Sequence, residues 1–142
     1  MTPPKFILRF FSRIHAVVYR RSNGQRRNVM NGLPVLLLTT TGRKSGQAHT
    51  VPVAYLSHGN AYLIAPGVVP RPDWYLNLKH APRAEIQIGA QTMAAEAEEL
   101  TGPARNRLWA TVPDYWKEYE QRTGITLPLM LLRLVKELGD LD

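Results

Sequence analysis

Cysteine is absent from this sequence of 142 residues. Its absence excludes disulfide scaffolds, zinc–thiolate sites, iron–sulfur clusters and thiol catalysis, and it fits a reducing compartment. No apolar run approaches the length of a bilayer span, so we expect no transmembrane helix. The four histidines are scattered without the spacing of metal ligands, and we predict no metal site.

Acidic residues are absent from residues 1–49, which hold nine of the 18 Lys and Arg residues. Residues 50–142 hold the other nine basic residues and all 11 acidic ones, so the whole net charge of +7 originates in the first third. Such a field predicts an anionic partner: nucleic acid, an anionic membrane surface or an acidic small molecule. We predict no nucleic acid, because no aromatic residues interleave with the basic stretch and no nucleic-acid module is recognisable.

The balance of 44% hydrophobic and 20% charged residues is typical of one globular domain. Within it, residues 1–32 form a basic amphipathic helix and a loop, and residues 33–142 form the main unit. The predicted helix ends near Arg21 and can pack its apolar face on the domain or contact a membrane surface. Its apolar positions recur at three- and four-residue spacing: Phe6, Ile7, Phe10, Phe11, Ile14, Val17 and Val18.

The remaining chain predicts an α+β fold, in which five or six antiparallel strands form a barrel-like meander with helices at both ends. The run Leu33–Thr41 alternates little, which indicates a strand buried on both faces. Asp73 is a plausible N-cap of a short helix. Further strands are predicted over residues 50–56, 61–65, 84–88 and 92–100, and helices over 73–78, 103–111, 113–122 and 126–138.

Residues 42–46, Gly-Arg-Lys-Ser-Gly, are the best local site. The two glycines allow left-handed backbone and converging N–H groups, while Arg43 and Lys44 can bind phosphate. The alternative is a hairpin tip with solubilising charges. Glu96, Glu98 and Glu99 are expected on the solvent face of a strand.

Aromatic residues form two clusters that fit either core packing or a ligand wall. Trp74 and Tyr75 precede Asn77 on the short helix, and Tyr115 and Tyr119 share a helix face four residues apart. Phenols can also donate protons.

Three motifs together resemble the deazaflavin-dependent nitroreductase family: Leu-Leu-Leu-Thr-Thr-Thr-Gly-Arg-Lys-Ser-Gly-Gln at 36–47, Thr-Val-Pro-Val at 50–53 and Asp-Trp-Tyr-Leu-Asn-Leu-Lys at 73–79. The resemblance covers roughly residues 33–128. It implies the antiparallel split β-barrel of flavin-mononucleotide-binding proteins, with flanking N- and C-terminal helices. It also implies reduced coenzyme F420 as the cofactor, a deazaflavin that carries a phosphate and an oligoglutamate tail.

The resemblance also assigns site residues. Tyr115 and Tyr119 correspond to tyrosines that cover the acceptor pocket and are the catalytic candidates. The chain departs from the family at His49, where a basic residue is usual, and in a shorter 66–72 loop, where Arg71 can supply the missing charge. The cofactor-binding candidates are Arg43, Lys44, Ser45, His49, Thr50, Val51, Pro52, Val53, Ala54, Ala65, Pro66, Gly67, Arg71, Asp73, Trp74, Tyr75 and Asn77.

The resemblance therefore implies an oxidoreductase that transfers a hydride from reduced F420 to nitroaromatic, quinone or activated enone acceptors. The alternative is a non-catalytic split-barrel carrier of a lipid, tetrapyrrole or flavin. We expect a cytoplasmic protein, monomeric or homodimeric, whose N-terminal helix can also bind the inner face of the cell membrane.

Overall fold

The computed structural model describes residues 13–14, 16–26, 28–67 and 71–135. Eight strands and three further helices follow the N-terminal helical residues 13–14 and 16–21. The strands are β1 (Val29–Met30), β2 (Leu33–Thr41), β3 (Ala48–Ala54), β4 (Leu56–His58), β5 (Ala61–Ile64), β6 (Arg83–Ile88), β7 (Gln91–Leu100) and β8 (Leu129–Leu134). The helices are α1 (Asp73–His80), α2 (Gly102–Trp109) and α3 (Asp114–Thr123).

The sheet is antiparallel in every pairing and follows the order β1-β2-β6-β7-β8-β5-β4, with β3 paired to β2. Only Tyr55 separates β3 from β4, and its N–H donates to the Pro34 carbonyl at 3.0 Å. Strands β3 and β4 therefore act as one bent strand that joins β2 to β5, and the sheet curls into a barrel.

The buried hydrophobic side chains form three clusters, one inside the barrel and two on its outer faces. Alternating residues of β2, including Leu36 and Leu38, fill the barrel interior with Ile86 and Trp74. The outer faces of β5 and β8 form a second cluster with Trp116 of α3. On the outside of β2, Val35 and Leu37 pack against the N-terminal helical segment. Because β2 is covered on both faces, the prediction from its continuous apolar run is confirmed.

The N-terminal helical segment both packs and leaves apolar side chains in solvent. Ala16 and Tyr19 are buried against the barrel, with Tyr19 only 1% exposed. Ile14 and Val17 are 45% and 48% exposed. The described part of the helix thus supports the packing interpretation and leaves a second apolar face uncovered. The predicted contributions of Phe6, Ile7, Phe10 and Phe11 lie outside the described residues.

Three expectations about the elements are wrong. Residues 129–134 are a strand and not part of a helix, because Leu129 to Leu132 must be buried on both faces between β5 and β7. Tyr55 divides the predicted 50–56 strand. Within the described residues the sheet has eight strands, two of them only two or three residues long, which is roughly consistent with the expected five or six. Because β8 lies between β5 and β7, the sheet is not the expected simple meander. Antiparallel pairing and the α+β class are confirmed.

Candidate functional site

The turn at residues 42–46 joins β2 to β3 and is held by its own hydrogen bonds. Gly46 N–H donates to the Gly42 carbonyl at 2.9 Å, and Gly42 N–H donates to the Gln47 carbonyl at 2.7 Å. Gly46 has a φ of +72°, a conformation that glycine adopts without strain. Ser45 Oγ accepts from Gln47 N–H at 3.2 Å and lies 3.4 Å from Nε2 of His49. The turn therefore presents Lys44 and Ser45 to solvent on a defined backbone.

Arg43 is fixed by the buried amide of Asn77. The Asn77 Oδ1 atom accepts from the Arg43 backbone N–H at 3.2 Å and from its Nη1 at 2.9 Å. Asn77 Nδ2 donates to Thr40 Oγ1 at 3.1 Å, and both polar residues are at most 3% exposed. Since the amide donates to Thr40, its oxygen must face Arg43. Thr40 thus sets the orientation of Asn77, and Asn77 sets that of Arg43.

Thr40 was not among the predicted site residues. Two signals in the sequence point to it: it belongs to the 36–47 motif, and its parity along β2 puts it on the inward-facing register with Leu36 and Leu38, near the end of the strand.

Asp73 lies at the start of α1 and faces Arg43 from the other side. Its Oδ1 is 3.5 Å from Arg43 Nη2. The N-cap of α1 is Pro72, with no side-chain cap hydrogen bond, so the prediction of Asp73 as N-cap is wrong. Because Asp73 occupies the first helical position, its carboxylate is placed beside the turn at 42–46.

The segment after β5 begins on the α3 side of the barrel. Ala65 belongs to the cluster that contains Trp116 and Tyr119, and Pro66 is buried, whereas Gly67 is exposed. Arg71 is exposed just before α1. Residues 68–70 of the predicted loop lie outside the described residues.

The predicted residues of β3 divide between the two faces of the strand. Val51 and Val53 pack in the barrel interior, so their side chains are not on the outer surface. Thr50, Pro52 and Ala54 alternate with them on the outer face and are half-buried. Thr50 Oγ1 lies 2.7 Å from Thr39 Oγ1 and accepts from Arg20 of the N-terminal helix at 3.4 Å.

Tyr75 and Trp74 of α1 are core residues, each 9% exposed. The Tyr75 hydroxyl donates to Glu99 Oε1 at 2.8 Å, and Lys79 Nζ reaches the same oxygen at 2.9 Å. Burial, followed by the hydrogen bond to Glu99, raises the pKa of Tyr75. The same carboxylate raises the pKa of Lys79. The expectation that Glu99 faces solvent is wrong, because it shares the inward register of Ala95 and Ala97.

The two candidate tyrosines lie on α3, which covers the outer faces of β5 and β8. Tyr115 is 39% exposed and meets the Trp116 ring edge-on at 6.4 Å, whereas Tyr119 is half-buried beside the Arg122 guanidinium.

Hydrogen bonds among Arg105, Glu120 and Leu127 hold α3 in place. Arg105 Nη2 donates to Glu120 Oε2 at 2.9 Å and to the Leu127 carbonyl at 2.7 Å. The same carboxylate oxygen also accepts from the Leu127 N–H. The tyrosines therefore project from a helix that is tied to α2 and to the segment before β8.

The cluster of Arg43, Lys44 and Ser45 fits an anionic group. It combines a positioned guanidinium, an exposed ammonium and an exposed hydroxyl on one turn, the donor set that binds phosphate. Among the described residues, no group of three or more His, Asp or Glu side chains could hold a metal ion. The residues present thus fit the phosphate of a nucleotide-like cofactor.

Comparison with known proteins agrees with this chemistry. The family described as F420H(2)-dependent quinone reductase matches residues 11–133. The F420H(2)-dependent quinone reductase Rv1261c of Mycobacterium tuberculosis H37Rv is 36% identical over 130 residues, which are 84% of this chain and 87% of that protein. The putative F420H(2)-dependent quinone reductase Rv3178 of the same strain is 31% identical over 107 residues, 71% of this chain and 90% of that one.

A solved structure described as an F420-H2 dependent reductase superposes with a TM-score of 0.62 at 28% identity, over 70% of this chain and 94% of that one. The resemblance seen in the sequence motifs is therefore confirmed, together with an oxidoreductase activity and reduced coenzyme F420 as the cofactor. The chain belongs to the F420H2-dependent quinone reductase family.

Proposed function

We propose that this protein reduces quinones with reduced F420, and that it binds the cofactor phosphate at the turn of residues 42–46. The single observation that carries the binding site is the positioned guanidinium of Arg43, which is set by buried Asn77 beside exposed Lys44. A side chain whose orientation is fixed in advance loses less entropy when an anion binds.

The binding surface extends from this turn over the outer face of β3, where Thr50, Pro52 and Ala54 are accessible. Ser45 and His49 lie 3.4 Å apart beside this turn, and the segment from Ala65 to Gly67 is proposed as a further part of the surface. Val51, Val53, Trp74 and Tyr75 act from beneath it, because they form the barrel core that supports these strands.

Reduced F420 supplies a hydride when it is bound. An acceptor quinone takes up that hydride and one proton to become a hydroquinone, and negative charge develops on its oxygen. The Tyr115 hydroxyl donates a hydrogen bond to that oxygen. Its helix is held in place by the hydrogen bond between Arg105 and Glu120. Tyr119 is the second candidate for this role. Nitroaromatics and activated enones develop charge on oxygen in the same way and are proposed as further acceptors.

A membrane contact is also proposed, because quinones with long apolar tails partition into lipid. Ile14 and Val17 are exposed on the N-terminal helix, next to exposed Arg13, Arg20 and Arg21. This combination favours binding to an anionic surface. No described helix is long and apolar enough to cross a membrane. On the basis of the exposed apolar and basic side chains of the N-terminal helix, we propose a cytoplasmic protein that binds the inner face of the cell membrane peripherally.

Oligomeric state is proposed as monomer or homodimer. A solved structure described as a domain-swapped dimer superposes with a TM-score of 0.64 at 25% identity, over 87% of this chain and 97% of that one.

The experiment that tests the function is a fluorescence titration with F420, flavin mononucleotide and haem, followed by an assay of F420H2 oxidation by a naphthoquinone. We expect F420 to bind most tightly and its affinity to fall as salt rises. Tight haem binding without turnover would favour the carrier alternative. A heme-binding protein of Mycobacterium smegmatis superposes with a TM-score of 0.54 at 23% identity, which shows only a common fold.

A further inference from the structure

We infer that Asp73 determines the charge that the anion site accepts, so that a singly charged phosphodiester is preferred to the doubly charged phosphate of flavin mononucleotide. This inference rests on the proposed binding of the cofactor phosphate at Arg43. It concerns the selectivity of that site, which the family assignment does not explain.

Arg43 is held beside Asp73 by the contact of its Nη1 with Asn77. Its backbone N–H and Nη1 are both bound to Asn77 Oδ1, and that amide is only 2% exposed. Nη2 therefore stays 3.5 Å from the Asp73 carboxylate. Any phosphate that binds the guanidinium must approach the negative charge of Asp73 as well.

Water screens this carboxylate only in part. The Asp73 side chain is 36% exposed and that of Arg43 is 26% exposed, so both are partly withdrawn from solvent. The repulsion between Asp73 and a bound phosphate is proportional to the charge on the phosphate. A phosphomonoester carries between 1.5 and 2 negative charges near neutral pH, because its second pKa is about 6. The phosphate of F420 is a diester and carries one.

The first variant is Asp73→Asn, which removes the charge and keeps the size of the side chain. For charges roughly 6 Å apart in a water-like dielectric, F420 affinity should rise about threefold and flavin mononucleotide affinity about six- to tenfold. The ratio of the two dissociation constants should therefore shift by about two- to threefold toward flavin mononucleotide. Asp73→Glu keeps the charge and should keep the wild-type ratio.

The chain offers a matched control in Asp114. It is the first residue of α3 and follows Pro113, just as Asp73 is the first residue of α1 and follows Pro72, and neither N-cap proline makes a side-chain cap hydrogen bond. Asp114→Asn makes the same change in net charge and in helix-terminus electrostatics. It should leave the ratio of dissociation constants unchanged.

The measurement is a pair of titrations on each full-length variant, with F420 followed by its own fluorescence and flavin mononucleotide by its own. A ratio that stays at the wild-type value in Asp73→Asn overturns the inference, as does an equal shift in Asp114→Asn. If Asp73→Asn does not fold, Asp73→Ser is used with the same expected shift. If wild-type protein binds no F420, the proposed function fails and this inference fails with it. If it binds F420 and only the ratio is insensitive to Asp73, this inference alone is wrong.

Discussion

The Tyr19 hydroxyl and the Gly89 backbone N–H are hydrogen-bonded at 2.9 Å, which joins the N-terminal helix to the turn between β6 and β7. The same hydroxyl lies 3.4 Å from the Gln87 carbonyl, and the Tyr19 ring is buried. At this junction Gly24 packs directly on Gly89: a Cβ added at Gly24 would lie 2.5 Å from the Gly89 Cα. The N-terminal helix is therefore an integral part of the domain.

Gly24→Ala should destabilise the protein by several kcal/mol, because the new methyl group collides with backbone and the φ of +77° disfavours alanine. Gly32→Ala is the matched control, since its φ is +81° but no atom beyond its two chain neighbours lies within 4 Å of the added Cβ. It should cost only the backbone strain, about 1 kcal/mol. Urea unfolding measures both, and equal losses would show that the Gly24–Gly89 contact is not close.

Thr40→Val should destabilise the protein by about 1–3 kcal/mol, because it leaves the buried Asn77 Nδ2 without its acceptor. Thr40→Ser keeps the hydroxyl and should restore the hydrogen bond at the smaller cost of a lost methyl group. We expect Thr40→Val also to weaken F420 binding, since it frees Asn77 and hence Arg43. Thr111→Val, which removes an exposed hydroxyl bonded to the Leu108 carbonyl, serves as control. Wild-type stability and affinity in Thr40→Val would contradict the positioning role.

Arg43→Ala and Tyr115→Phe should change different quantities: the first the affinity for F420 and the second the rate of turnover. Arg43→Ala removes a charge-assisted contact and should raise the dissociation constant of F420 by about 10- to 100-fold, with turnover restored at saturating cofactor. Tyr115→Phe should leave F420 affinity unchanged and lower turnover by about tenfold, equal to about 1.4 kcal/mol in the barrier. A titration of cofactor at fixed quinone separates the two. Wild-type turnover in Tyr115→Phe would transfer the role to Tyr119.

Stability should fall as the pH rises through the alkaline range. The pKa of Tyr75 is raised by burial and by Glu99, and that of Lys79 is raised by Glu99. Above about pH 10 the unfolded chain releases these protons more readily than the folded one, so unfolding is favoured as pH increases. Burial also raises the pKa of Tyr55, so Tyr75→Phe removes one of three such groups and should make the loss of stability between pH 9 and 11 shallower. An identical slope in Tyr75→Phe would contradict the assignment.

Membrane binding is tested at the exposed apolar face of the N-terminal helix. Ile14→Ser combined with Val17→Ser should lower binding to anionic vesicles without loss of folding, because both side chains are already exposed. Turnover of a water-soluble quinone should not change. Deletion of residues 1–21, by contrast, should unfold the protein, since it uncovers Val35 and Leu37. Unchanged vesicle binding in the double variant would remove the support for a membrane contact.

Local patterns predicted much of the fold and could not predict the register of distant partners. The strand Leu33–Thr41 and the helices near 103–111 and 113–122 follow from apolar runs, turn residues and spacing. The segment 129–134 was misassigned because an apolar run fits a helix or a buried strand, and only its pairing with both β5 and β7 decides. The site shows the same limit. Arg43 and Asn77 were predicted from motifs, whereas Thr40 and Glu99 depend on which face of a strand turns inward.

The position of β8 also bears on how the chain reaches its native state. It is the last of the described strands, yet it lies between β5 and β7. During synthesis those two neighbours are complete before residues 129–134 exist, and each presents an unpaired edge of backbone N–H and C=O groups. Open edges of this kind associate with other chains. The two edges stay open until β8 has been made and has paired with both neighbours, so aggregation competes with the insertion of this strand.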